Sequence, residues 1–255
     1  MLAIIQIKVL EDNYIYLIHD ETSGETAVID PALAQPVLDV LDEKGWRLTY
    51  VLNTHHHWDH VEGNLELKNK TACKVVAAQA DWERVPAFDL GVNDGDAIFL
   101  GKYKVQVIAT PGHTSGHVVY YSADNDALFC GDTLFVMGCG RLFDGTAEQM
   151  YQSLQAIKAL PPETRVYCAH EYTQTNGRFA LSVDPDNVLL QEKMREVVKL
   201  REVQLPTVPS SIGEERSTNP FFRVDSLSIQ KSLGLLGESP EVVFKALRKR
   251  KDTFS

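Results

Sequence analysis

Residues 54–60 read Thr-His-His-His-Trp-Asp-His. Imidazole nitrogens and carboxylate oxygens at this spacing are ligands for a borderline divalent cation. Structural zinc in intracellular chains usually draws on cysteine pairs in a closed tetrahedron, so an all-nitrogen and oxygen set points to catalysis. An apolar run, Tyr50-Val51-Leu52, stops just before the loop. If residues 50–54 form a buried strand, His55 and His57 leave its end two residues apart and point the same way, while His56 alternates away. The chain must then turn toward Val61-Glu62-Gly63, which swings Asp59 and His60 together toward a second position. One short loop offers two half-sites.

Three more candidates follow apolar β-type runs: His113 after residues 103–109, Asp132 after 127–130 and His170 after 165–168. Taken alone, His113 reads as a loop histidine and Asp132 as a helix cap. Sites in α/β folds are built at strand ends, so the recurrence of a candidate ligand after one kind of segment is the stronger signal.

The elements that must position these groups can be read in outline. Residues 2–10, 14–19 and 26–30 predict strands, 36–43 a short amphipathic helix, and 61–69 another. Strands are expected at 74–77, 97–100, 103–109, 118–122, 127–130 and 165–168, and helices at 147–159, 173–181, 186–203 and 240–250. Residues around Pro206, Pro209, Gly213 and Asn219-Pro220 read as irregular. The expected organisation is a catalytic α/β domain over residues 1–172 and a helical, substrate-binding subdomain over 173–255.

Apolar residues make up 44% of the 255, charged residues 24%, and the net charge is -10, as in an ordinary soluble globular protein. An acidic balance argues against nucleic acid, which favours a basic face. No apolar run approaches the roughly 20 residues of a membrane span, and the start lacks a signal-peptide pattern. The four cysteines form no Cys-x-x-Cys pair and are expected as buried thiols. A cytoplasmic monomer is the expectation.

Taken together, the stretches Thr-His-His-His-Trp-Asp-His at 54–60, Pro-Gly-His-Thr-Ser-Gly-His at 111–117, Gly-Asp-Thr-Leu-Phe at 131–135, Gly-Cys-Gly-Arg-Leu-Phe at 138–143, Cys-Ala-His-Glu-Tyr-Thr at 168–173 and Leu-Arg-Lys-Arg-Lys-Asp at 247–252 resemble the metallo-β-lactamase superfamily. Within it they resemble the glyoxalase II branch. The resemblance implies an αββα sandwich with a C-terminal helical subdomain and two divalent metal ions per chain. One would be held by His55, His57 and His113 and the other by Asp59, His60 and His170, with Asp132 bridging. Nitrogen and oxygen donors suit zinc, and iron and manganese equally in kind. His56 and His117 are not carried over as ligands, and His19 has only a structural reading.

What the resemblance implies for chemistry is hydrolysis of S-lactoylglutathione, the second step of methylglyoxal detoxification, by water activated between the two cations. Asp59 and Asp132 are the expected catalytic carboxylates, with metal ligation the main role of Asp59. A thiolate leaves with a pKa of about 8.5, so no dedicated acid is demanded. The basic run Arg248-Lys249-Arg250-Lys251 reads, alone, as a solvated helix end. By the resemblance, Arg248 and Lys251 meet a glutathione carboxylate, and Arg141, Phe143 and Tyr172 contact the rest of the peptide. The family usually has lysine and tyrosine at positions 141 and 143, so Arg141 changes geometry and Phe143 lacks a hydroxyl. An iron-dependent persulfide dioxygenase is the competing reading, and a lactonase, a β-lactamase or a non-enzymatic metal-binding module are further ones.

Overall fold

The computed structural model describes residues 1–254, which cluster into two compact units. The first holds Met1–Ala109 and Gly116–Gly131, and the second Thr110–Ser115 and everything described from Asp132.

The first unit begins with strands β1 (Ala3–Val9), β2 (Asn13–Asp20) and β3 (Glu25–Ile29), then helix α1 (Gln35–Lys44) and strand β4 (Arg47–Leu52). Helices α2 (Trp58–Val61) and α3 (Asn64–Thr71) precede β5 (Lys74–Ala78) and β6 (Leu90–Val92). These strands lie in the order β1 to β6; β1, β2 and β3 pair antiparallel, and β3 through β6 parallel. Strands β7 (Ala97–Leu100), β8 (Tyr103–Ala109), β9 (Val118–Ser122) and β10 (Ala127–Gly131) form an antiparallel meander.

Every residue of β2 is buried, because both faces of its sheet are covered. Ile15 and Leu17 join Val37 and Leu41 of α1 and Leu67 of α3 in one core cluster. Tyr16, on the opposite face, meets Phe129 of β10 at 5.6 Å between ring centroids. Layers of helix, sheet and sheet result. The helix expected at 61–69 is two pieces, broken at Gly63, whose N–H donates to the Pro31 carbonyl at 2.9 Å. Strand β4 stops at Leu52 rather than Thr54, because Asn53 and Thr54 carry the loop connections.

The second unit contains a hairpin of β11 (Leu134–Phe135) and β12 (Gly138–Cys139), helix α4 (Ala147–Lys158), and β13 (Arg165–Cys168). Helices α5 (Thr173–Val183) and α6 (Val188–Glu202), strand β14 (Ser210–Ser211) and helices α7 (Ile212–Thr218), α8 (Leu227–Leu233) and α9 (Pro240–Asp252) complete it. Strand β14 pairs antiparallel with β13. Its aromatic core joins Phe179, Phe221 and Phe244 across three segments.

The stretch expected to be irregular near 206–220 holds β14 and α7. A capping box between Ser211 and Glu214 starts α7, a signal masked by the surrounding proline and glycine. All four cysteines are buried free thiols, as expected. No helix among the described residues is long and apolar enough to cross a membrane.

Candidate metal centre

In the first unit the loop after β4 gathers the histidines. The Nε2 atom of His55 stands 3.0 Å from Nδ1 of His57, so the two rings direct nitrogens at a common point. Two imidazole nitrogens on one tetrahedral zinc, each at about 2.0–2.1 Å, would stand about 3.3 Å apart, close to that separation. His56 faces the other way, with Nδ1 3.2 Å from the buried Asp81 carboxylate. His60 occupies the single turn of α2, its Nε2 3.7 Å from Asp59 Oδ2. Asn13 donates to that same carboxylate oxygen at 3.1 Å and to the Asp59 carbonyl at 3.2 Å.

Behind these side chains sits Asp30, 4% exposed at the end of β3. It accepts from the Thr54 N–H at 2.8 Å and the Thr54 hydroxyl at 2.6 Å, and pairs with His60 Nδ1 at 3.1 Å. A buried carboxylate without partners would cost several kcal/mol; three bonds offset that cost. The network also fixes ring tautomers. With its proton given to Asp30, the Thr54 hydroxyl accepts from His55 Nδ1 at 3.1 Å, which leaves the His55 Nε2 lone pair forward. His60 donates from Nδ1 to Asp30 and likewise presents Nε2. Asp30, His55 and His60 offer ligand atoms within 4.8 Å of one another.

The neighbouring geometry leaves little room. A Cβ on Gly131, at φ 47°, would lie 2.3 Å from Thr54 Oγ1 and 2.9 Å from His117 Nε2, so β10 can end beside Thr54 only as glycine. His117 is buried and stacks on His55 at 4.9 Å, holding the ring from behind. His19 lies elsewhere, bonded to Thr26 Oγ1 and stacked on Trp46.

In the second unit Asp132 follows β10, His113 lies in the short segment 110–115, and His170 follows β13. Asp132 stands between the two histidines: Oδ2 is 3.5 Å from His113 Nε2 and Oδ1 is 3.4 Å from His170 Nε2. His113 Nδ1 lies 2.8 Å from the Arg141 carbonyl. A carbonyl only accepts, so the proton is on Nδ1 and the Nε2 lone pair faces Asp132. A Cβ at Gly140 would come 2.0 Å from the Asp132 carbonyl oxygen and 3.0 Å from His113 Nδ1, so a side chain there would displace both.

The residues expected to contact substrate are all in this unit. Tyr172 stacks in parallel on His170 at 4.8 Å, and Phe143, 66% exposed, meets the His113 ring edge-on at 5.2 Å. Arg141 is exposed. Lys251 is half-buried in the last turn of α9, its ammonium pushed down to about 8 by burial and by the positive charges of Arg248, Arg141 and Arg178. Arg248 differs from the solvated helix end that composition suggests. It is 3% exposed, its Nη1 bonds the Cys139 and Gly140 carbonyls at 2.7 and 3.3 Å, and its Nη2 pairs with Asp252 at 3.0 Å.

The donor set fits divalent metal: neutral imidazoles with their second nitrogens anchored on a carboxylate, hydroxyl or carbonyl are arranged as ligating histidines are. Asp30 is the residue that sequence reasoning missed. It too ends a strand, the rule that found Asp132, but no second acidic or imidazole group marks it in the sequence.

Histidine and carboxylate clusters at strand ends of a helix–sheet–sheet fold define a class of metal-dependent proteins. Residues 10–170 match the family described as metallo-beta-lactamase superfamily, and residues 171–254 match hydroxyacylglutathione hydrolase C-terminus. Hydroxyacylglutathione hydrolase from Methylococcus capsulatus is 55% identical over 254 residues, covering 100% of this chain and 99% of the relative. The Rhodospirillum rubrum protein of that name is 49% identical over 253 residues and 99% of each. Among solved structures, ETHE1 from Myxococcus xanthus superposes with a TM-score of 0.67 at 27% identity, over 99% of this chain and 100% of that one. The chain belongs to the metallo-β-lactamase superfamily and, within it, to the hydroxyacylglutathione hydrolase (glyoxalase II) family.

Proposed function

We propose that the protein hydrolyses S-(2-hydroxyacyl)glutathione, S-lactoylglutathione above all, to glutathione and a 2-hydroxy acid, the second step in removing methylglyoxal. The observation that carries this reading is identity of 55% along the whole chain to a protein named for that activity, C-terminal segment included. The anchored imidazoles and carboxylates of both units support it chemically.

In this reading His55, His57 and His113 would hold one divalent cation and Asp59, His60 and His170 a second, with Asp132 available to both. The donors suit zinc, with iron or manganese compatible. When bound, such a pair lowers the pKa of water and polarises a carbonyl. The chain's own residues do the rest. Asp30 and Thr54 hold the His55 and His60 rings, the Arg141 carbonyl holds His113, and Asn13 holds Asp59. Tyr172 and Phe143 offer apolar faces beside His170 and His113 against which a peptide thiol can lie, and Lys251 and Arg141 meet its carboxylates. The departing thiolate, with a pKa of about 8.5, leaves without a proton donor.

One chain supplies every residue of the proposed site, so a monomer suffices, and cysteines outside any disulfide suit the reducing cytoplasm. The test pairs metal analysis with a thioester assay on purified protein. About two equivalents of metal per chain and release of free thiol from S-lactoylglutathione are expected. Absence of thiol release after loading with zinc, iron or manganese would overturn the reading. Oxygen uptake with glutathione persulfide would replace it by the dioxygenase.

A further inference from the structure

Two parts of the histidine motifs hold no cation in the reading above: His56, in the middle of the 54–60 run, and the Gly116-His117 end of the 111–117 run. Both meet at one carboxylate. Strands β4 and β5 pair parallel, so the loops that follow them leave the sheet at the same edge. The loop after β4 carries the histidines. The segment after β5 is a 3₁₀ turn, Gln79–Asp81, which brings Asp81 beside them.

Asp81 is fully buried. Its Oδ1 pairs with the Arg84 guanidinium three residues on, and its Oδ2 accepts from His56 Nδ1 at 3.2 Å. A buried carboxylate requires such partners. The oxygen that meets Arg84 also lies against the backbone of residue 116. A Cβ on Gly116 would overlap Asp81 Oδ1 and stand 2.6 Å from its Cγ, so only glycine lets the carboxylate approach this closely. His117, the next residue, stacks on the His55 ring at 4.9 Å.

A hydrogen bond between a half-buried histidine and a buried acid commonly does no more than satisfy the acid. What marks this one is the place of His56 in the chain. His55 and His57 stand on either side of it, and the separation of 3.0 Å between His55 Nε2 and His57 Nδ1 is set by the backbone that joins them. Residues 55–57 lie between the end of β4 and the start of α2, so no sheet ladder or helix fixes that backbone. Tying the middle ring to a charge-paired acid pins the stretch at its centre. Through Gly116 the same acid locates the ring that backs His55.

We propose that Asp81 and His56 form a positioning pair for the metal centre, Asp81 the fixed point and His56 the tether that holds His55 and His57 at the separation one cation needs. The inference rests on the metal-dependent reading above and concerns a pair that holds no cation itself.

The experiment measures zinc affinity and stoichiometry by competition with a chromophoric chelator in the full-length native protein, in His56→Ala, His56→Asn and Asp81→Ala, and in the double variant, with thermal unfolding of each metal-free protein beside them. His56 is half-buried, so its truncation opens no core cavity and the metal-free melting temperature of His56→Ala holds. That variant binds one of its equivalents of zinc about 10–100-fold more weakly, the scale of a partner that orients a ligand. Asparagine presents an amide N–H where the imidazole Nδ1–H stood, so His56→Asn recovers most of the affinity. Asp81→Ala loses at least as much as His56→Ala and also melts lower, because Arg84 loses its acid; the His56 variants carry the test independently of that loss. Adding His56→Ala to Asp81→Ala costs little more, since both remove one contact. Native affinity in His56→Ala, no recovery in His56→Asn, or losses that add in the double variant overturns the pairing. If the native protein takes up no zinc, iron or manganese, the metal-dependent reading beneath it falls, and the pair with it.

Discussion

At the scale of single residues the decisive group is Asp30, which touches no ligand atom expected to meet substrate. It holds the Thr54 amide, the Thr54 hydroxyl and His60 at once. Replacing it with alanine strands three buried polar groups, at about 1–3 kcal/mol each before relaxation, and frees two rings to turn. Partners of this kind are worth about 10–100-fold in metal affinity. Asp30→Ala is therefore expected to bind metal that much more weakly in competition with a chelator, and to melt at lower temperature. Retention of native affinity would show the rings to be set by the fold alone. Asp132→Ala, by contrast, is expected to lose metal and turnover together with little loss of fold, and unchanged metal stoichiometry would remove it from the bridging position. The histidine loop was legible in the sequence because alternation after a strand dictates which rings share a side. Asp30 was not, because its role arises from pairing across 24 and 30 residues of chain, which no local pattern records.

At the scale of elements, the hairpin of β11 and β12 is too short to be stable by its own ladder, and the C-terminal segment braces it. Glu215, fully buried on α7, accepts from the Met137 N–H at 2.8 Å, from Asn219 Nδ2 at 2.9 Å and from Ser210 Oγ at 2.5 Å. Asn219 also reaches the Phe135 and Gly138 carbonyls. Burial nonetheless dominates and pushes the Glu215 carboxyl from 4.5 up to about 7. The folded state then holds a proton that the unfolded chain has released, so this group's stabilisation is complete below pH 4.5 and fades as pH rises through 7. The whole effect is at most about 3 kcal/mol. Urea unfolding at about pH 5 and pH 8 should show the native protein losing ground to Glu215→Gln as pH rises, the variant lacking this titration. A difference that stays constant between the two pH values would contradict it. Two-residue strands and the seven-residue α7 carry too little periodicity to be read from sequence. The burial of Arg248 was not legible: Phe244 one turn earlier marks the same face of α9, but a run of four cations masks the stripe.

At the scale of the whole molecule the issue is charge. The chain carries -10, and the proposed substrate is an anion, so the long-range field opposes binding while Arg141 and Lys251, in the proposed site, would favour it locally. Distance decides which governs. The Debye length is about 10 Å at 0.1 M salt, so repulsion from charges spread over the surface is already screened there, whereas a contact at hydrogen-bond range in a partly desolvated setting is not. Raising salt from about 0.1 to 0.5 M shortens the Debye length to less than half and reaches only the near cations. The KM for S-lactoylglutathione should therefore rise several-fold over that range while a neutral thioester holds steady, and Arg141→Gln should show a shallower dependence than the native protein. Steady-state kinetics on both substrates at matched pH would measure it. A KM that falls with salt would mean that the acidic surface as a whole, and not the local cations, sets the affinity.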